Sequence, residues 1–321
     1  MAVPITTYAT VSGELTLTAL DDRDEDEFMV PIDLSGKIAL VTGVGDNEGF
    51  AWYIAKALQA AGCRLIFACH PRVFTIVESI LTREQDAESR ILPYGAGTLH
   101  VEKLLPCDVR FDTMQDVDEA TRNDRRYQRF ADYSIQGVMD VISRDYGGLD
   151  ILIHSVAFSP EIKNIQLETS RQAYLTALSV SAYSLTGLLR RAWPLMKDRP
   201  GGASAVALTY LGGERVVPHY GGGMSAAKAA LQIDARQLAH NLGKYNIRVN
   251  LISAGPYASR AARAIGDIQQ MIQYAAQRSP LPRPIQPEEV ANAVLFLCSP
   301  LASAVTGQIL YVDCGYHIMG V

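Results

Sequence analysis

Two tyrosines and a lysine stand at spacings that suit proton donation to an oxygen gaining negative charge. They are Tyr210, Tyr220 and Lys228, within TYLGGERVVPHYGGGMSAAK at positions 209–228. A protonated phenol can donate a hydrogen bond to such an oxygen, and a neighbouring ammonium lowers the phenol's pKa and binds ribose hydroxyls. Taken singly, each tyrosine passes for a packing residue with a polar tip. Their surroundings argue for more. The apolar run 205–208 reads as a buried parallel strand and Met224–Gly243 as a helix. Tyr220 then falls at the strand-to-helix connection, with Lys228 about two turns further on and on the same side. In a doubly wound sheet that connection opens onto the ligand crevice.

The rest of the chain supplies such a sheet. Strands are expected at 37–42, 64–68, 104–107, 149–154, 205–208, 248–252 and 308–312. Helices are expected at 51–61, 73–82, 169–195, 224–243, 260–278 and 288–298. This alternation predicts a single-domain α/β Rossmann fold, with a seven-stranded parallel sheet in the order 3-2-1-4-5-6-7 and helices on both faces. Residues 1–35 read as an N-terminal extension with a short strand at 14–18, and 36–321 as the dinucleotide-binding domain.

Within that frame the turn GVGDNEG at 43–49 follows the first strand and opens a helix. Backbone amides there can hold a pyrophosphate, with Gly43 and Gly49 allowing close approach. After the second strand comes Cys69-His70-Pro71-Arg72, without the carboxylate that would accept from a ribose 2′-hydroxyl. Arg72 suits a 2′-phosphate, which keeps NADPH open beside NADH. Asp108 ends the third strand and, alone, reads as a turn or helix cap. His154 ends an apolar strand and reads as structural.

The chain has 321 residues, 48% of them hydrophobic and 20% charged, enough for one core burying ~75% of the unfolded surface. A net charge of −5 argues against nucleic-acid or anionic-membrane partners. Five scattered cysteines, without short paired spacings, read as buried thiols of a reducing compartment. No metal-ligand cluster is apparent, and no apolar run approaches the ~20 residues of a membrane span. The acidic run at 21–27 is unlike an Arg-rich transit segment, so the cytoplasm is expected, or a plastid-like organelle if a transit peptide has been removed.

The stretch TYLGGERVVPHYGGGMSAAKAAL resembles the catalytic segment of the enoyl-acyl carrier protein reductases, plastid-type branch, in the short-chain dehydrogenase/reductase superfamily. The superfamily's usual Tyr-x3-Lys is here Tyr-x7-Lys, and Ala207 stands where its serine would be. The resemblance runs over 34–321. It implies reduction of trans-2-enoyl thioesters with NADH in preference to NADPH, in fatty acid synthesis. Tyr220 would donate to the thioester oxygen, Lys228 bind the ribose, and Tyr210 position the thioester or assist proton delivery. Cofactor contacts are implied at Gly43, Gly49, Phe50, His70, Asp108, Val109, Ser155, Val156, Tyr257, Ser259 and Ala261. Asp108 would accept from the adenine amine and Val109 pack on its ring. Phe158, Ser159, Ala261, Ala262 and Ile265 would face the acyl chain. The polar segment 111–132 would be the branch's insertion, covering the outside. Acyl carrier protein is the implied partner, with Arg260 and Arg263 as docking candidates, and a homotetramer the implied assembly. Two alternatives are a carbonyl or alcohol dehydrogenase of the same superfamily and a non-catalytic NAD(H)-sensing regulator.

Overall fold

The computed structural model describes residues 32–260, 262–265 and 267–320. Seven apolar runs become the strands β1 (Ile38–Thr42), β2 (Arg64–Cys69), β3 (Lys103–Pro106), β4 (Ile151–His154), β5 (Ala203–Thr209), β6 (Ile247–Ala254) and β7 (Ile309–Val312). Every pairing is parallel and the order is β3-β2-β1-β4-β5-β6-β7, as the alternation predicts. All residues of β1 and β5 are buried. Strands covered on both faces have no polar side to show, hence their continuous apolar sequence.

The helices are α1 (Phe50–Ala60), α2 (Phe74–Thr82), α3 (Glu119–Arg122), α4 (Arg125–Gln128) and α5 (Ile135–Tyr146), then α6 (Arg171–Leu178), α7 (Ser184–Met196), α8 (Met224–Gly243), α9 (Ile268–Arg278) and α10 (Pro287–Cys298). One core packs α1, α2 and α10 on the sheet around Trp52 and Phe67; the other packs α5, α7 and α8 around Leu152, Leu188 and Leu231. Four of the five cysteines are buried and Cys314 is half-buried. Burial pushes the thiols of Cys69 and Cys298 up to about 12, which keeps them protonated and unreactive.

Three expectations change in detail. The long helix over 169–195 is interrupted by a π-helical turn at Ser179–Tyr183, between α6 and α7. The helix over 260–278 divides into a 3₁₀ turn at Ala262–Ile265 and α9, because Asp267 leaves helical geometry at ψ 51°. The polar segment 111–132 does more than cover the outside: Phe111, Val117, Tyr127 and Tyr133 form a small core of their own. The strand expected at 14–18 lies outside the described residues. Packing of the main unit already includes Leu34, which is buried and donates its N–H to the Ala61 carbonyl at 2.7 Å.

The register sets the site. Thr42 pairs with His154, His154 with Ala207, and Thr209 with Ser253. The turns after β1, β4, β5 and β6 therefore leave the same edge of the sheet, where a doubly wound fold binds ligands.

Candidate active site

Tyr210 follows the last residue of β5, and its ring meets that of Tyr220 edge-on, with centroids 4.9 Å apart and planes at 68°. Gly212 makes this possible. A Cβ there would stand 2.6 Å from the Tyr220 ring and 3.1 Å from the Tyr210 ring, so any other residue would force them apart. The chain after Tyr220 is tied down from the β4 side: Ser159 Oγ donates to the Gly222 carbonyl at 2.7 Å, and the Gly222 N–H donates to the Asn164 carbonyl at 3.0 Å. Lys228 lies in the second turn of α8, 4% exposed, and its Nζ donates to the Leu208 carbonyl at 2.8 Å. The end of β5 thus collects both tyrosines and the lysine.

Burial decides the charges here. It brings the Lys228 ammonium down to about 8, so the group is still mostly cationic at neutral pH. Burial also raises both phenols well above their ordinary value. This corrects the expectation that Lys228 lowers the phenol of Tyr220: the cost of burying a phenolate outweighs any help from the ammonium, and Tyr210 adds to the rise. Both phenols therefore keep their protons. Neither hydroxyl is hydrogen-bonded to another described residue. His154 is neutral, brought down to about 3 by complete burial and by Lys228. Ser184 Oγ donates to the Val180 carbonyl at 2.6 Å and so accepts from His154 Nε2 at 2.7 Å, leaving Nδ1 unprotonated and without a partner.

The turn after β1 approaches the turn after β4 at Gly43. That residue has φ +80°, and a Cβ on it would collide with the Ser155 carbonyl at 2.0 Å, so the two backbones touch only because it is glycine. Val156 joins the same contact. Asp46 Oδ1 accepts from the N–H groups of Glu48 and Gly49 at 2.9 and 2.8 Å. Helix α1 then starts with no side-chain cap and no acid in its first turn. Its open N-terminal amides and the Gly43 cradle fit the diphosphate of a dinucleotide. Phe50 and Tyr257 pack together at 5.1 Å, joining the start of α1 to the loop after β6. The donor set and shape thus fit a dinucleotide lying from the end of β2 to the end of β5.

At the far end of the crevice, the Asp108 carboxylate is 1% exposed and already engaged. Arg110 Nε and Nη2 donate to its oxygens at 3.0 and 2.7 Å, and the Tyr127 hydroxyl donates at 2.7 Å. His70, whose Nε2 lies 3.3 Å from Oδ2, and Arg110 outweigh the raising effect of burial and hold the carboxyl far below its usual range. The expected acceptor for an adenine amine thus has its oxygens turned to the protein, and His70 Nε2 stands 3.0 Å from the Tyr127 hydroxyl.

The family model described as "Enoyl-(Acyl carrier protein) reductase" matches residues 131–317. The chloroplastic enoyl-[acyl-carrier-protein] reductase [NADH] of Arabidopsis thaliana is 46% identical over 91% of this chain and 74% of its own length. The NADH enzyme of Nostoc sp. is 40% identical over 90% and 99%. The crystal structure of the Plasmodium berghei enoyl-acyl-carrier-protein reductase with triclosan superposes with TM-score 0.83 at 42% identity, covering 88% of this chain and 98% of that one. The chain belongs to the enoyl-acyl carrier protein reductases.

In this reductase the residues expected at the acyl end divide. Phe158 is 52% exposed beside the crevice, whereas Ser159 is buried and spends its hydroxyl on Gly222, which makes it a support for the Tyr220 segment. Ala262 is half-buried, Ser259 Oγ accepts from its N–H at 3.2 Å, Ile265 belongs to the 3₁₀ turn, and Ala261 lies outside the described residues. Arg263, expected to face a carrier, instead pairs with Glu48 of the first turn at 2.6 Å. Sequence reasoning missed Gly212, Glu48, Asp124 and Tyr127. Only Gly212, inside the tyrosine stretch, carried a signal, as one of two adjacent glycines between the tyrosines. Among the described residues no three His, Cys, Asp or Glu side chains gather as a metal site, and no helix is long and apolar enough to cross a membrane.

Proposed function

We propose that Tyr220, Lys228 and Tyr210 carry the enoyl reduction for which this family is named. The observation that carries the reading is the pair of half-buried, protonated phenols at the end of β5, with no hydrogen-bond partner among the described residues, and an ammonium anchored on the Leu208 carbonyl of the same strand. When bound, reduced nicotinamide supplies the hydride for C3 of the enoyl group. The thioester oxygen gains negative charge as C3 is attacked, and Tyr220 donates a hydrogen bond to it, strongest where that charge is greatest. Tyr210 packs on Tyr220 and presents a second hydroxyl to the thioester. Lys228 keeps the local field positive and binds the ribose hydroxyls, and a proton reaches C2 to complete the saturated product.

NADH is the reductant, in keeping with the names of the relatives in Arabidopsis, rice and Nostoc. Val109, Ser155 and Val156 would line the dinucleotide, with His70 and Asp108 behind its adenosine. The substrate would arrive on acyl carrier protein, as those names state for the relatives. A homotetramer is supported by apolar side chains left exposed on the flanking helices, Leu175 on α6 and Ile233 on α8, and by Tyr183 between α6 and α7. The acid-rich leader favours the cytoplasm as the working compartment, with the chloroplastic naming of the plant relatives as the rival.

The test is loss of absorbance at 340 nm with purified protein, a trans-2-enoyl thioester, and NADH or NADPH in parallel. NADH oxidation that depends on the enoyl thioester is expected. Oxidation with a ketone and none with the enoyl thioester would overturn the assignment.

A further inference from the structure

The end of β2 lacks the acid that reads a ribose 2′-hydroxyl, yet an arginine stands two residues beyond His70. Arg72 is the side chain there that suits a 2′-phosphate. It already has a carboxylate beside it. One of its Nη atoms lies 3.5 Å from Asp124 Oδ2, on the segment 111–132. Asp124 also caps α4, its Oδ1 accepting from the Arg126 N–H at 2.9 Å.

The next turn of that segment fixes the geometry. Tyr127 is wholly buried and bonded to Asp108, as described above. The backbone N–H of Arg72 donates to His70 Nδ1 at 3.2 Å, which leaves the proton on Nε2 to be given to the Tyr127 oxygen. One chain of hydrogen bonds therefore runs from the backbone of Arg72 through His70 and Tyr127 to Asp108. It pins α4, and with it the Asp124 carboxylate, against the 70–72 turn.

We propose that Asp124 is a specificity-determining residue that sets NADH over NADPH in this reductase, by neutralising Arg72 and repelling a 2′-phosphate. The inference rests on the reading of the crevice as the nucleotide site. NADH brings only a hydroxyl to this corner, with no charge for the carboxylate to repel. NADPH brings a phosphate, which meets Arg72 already paired and a negative charge beside it. Selectivity of this kind comes from a repulsive element as much as an attractive one.

The experiment measures dissociation constants of NADH and NADPH for the full chain by isothermal calorimetry, in wild type, Asp124→Asn and the double variant Arg72→Ala/Asp124→Asn. Asparagine keeps the helix cap and removes only the charge. Asp124→Asn is expected to bind NADPH about tenfold more tightly, the size of one charge-assisted contact, and NADH within about twofold of wild type. The double variant is expected to lose the gain. NADPH affinity unchanged in Asp124→Asn, or a gain that survives without Arg72, would overturn the inference while leaving the reductase assignment standing. Wild type that holds neither nucleotide would overturn the crevice reading, and this inference with it.

Discussion

The two ends of the crevice are built on opposite terms. At the end proposed for the adenosine, Asp108, Arg110, Tyr127 and His70 satisfy one another, and a segment with its own small core holds them in place. At the end proposed for the reaction, Tyr210 and Tyr220 hold half-buried phenols that have no hydrogen-bond partner among the described residues, and a buried ammonium has one carbonyl. A satisfied polar network adds rigidity, whereas unspent buried donors cost stability and remain available to a ligand. On the proposed reading, orientation and selectivity belong to one end and chemistry to the other.

Replacing a residue at the reaction end should therefore separate stability from activity. In Lys228→Met the enoyl reduction rate is expected to fall by ~10² or more, as for loss of a preorganised electrostatic group. The same variant should unfold at a higher temperature, since removing a buried ammonium held near 8 relieves a few kcal/mol of cost at neutral pH. The unfolded chain holds that proton up to about 10.5, so wild-type stability gains from this group as pH rises from about 8 to 10.5. Thermal melts across that range should show the rise in wild type and not in Lys228→Met.

At the finished end the expectation reverses. Asp108→Asn leaves Arg110 and the Tyr127 hydroxyl without their carboxylate and should cost about 2–4 kcal/mol in denaturant unfolding. Because the folded carboxyl titrates far below its unfolded value, its contribution is complete above pH ~4 and is lost as pH falls toward the folded value. The acid side of the stability profile should flatten in the variant. A loss of turnover with no loss of stability in Asp108→Asn would erase the contrast.

The smallest effect belongs to the rim. Arg263 and Glu48 are each half exposed, and a pair in water contributes less than ~1 kcal/mol. Arg263→Ala should leave the unfolding midpoint nearly unchanged.

Much of this frame was legible in the chain. The runs at 37–42 and 205–208 could only be strands covered on both faces, and Met224–Gly243 appears with the expected bounds, Gly223 standing before it in the left-handed region. The placing of Tyr220 and Lys228 about the strand-to-helix connection followed from spacing, whereas the packing of Tyr210 on Tyr220 did not. The selectivity corner was hidden, because Tyr127 sits in RNDRRYQR, where no periodicity separates a wholly buried anchor from its charged neighbours. The pKa direction of Tyr220 was also hidden, since spacing suggests a neighbouring charge but says nothing of the burial that outweighs it. Nor does a serine at 159 disclose that its hydroxyl is spent on Gly222 rather than on a substrate.

The division of labour is tested most directly by single-turnover hydride transfer in Tyr220→Phe, at saturating NADH and enoyl thioester, with the NADH dissociation constant measured on the same preparation. A rate lower by ~10²–10³ with nucleotide affinity unchanged is the result predicted for loss of one preorganised donor. An unchanged rate, or a loss of nucleotide binding that accounts for the lost turnover, would contradict it.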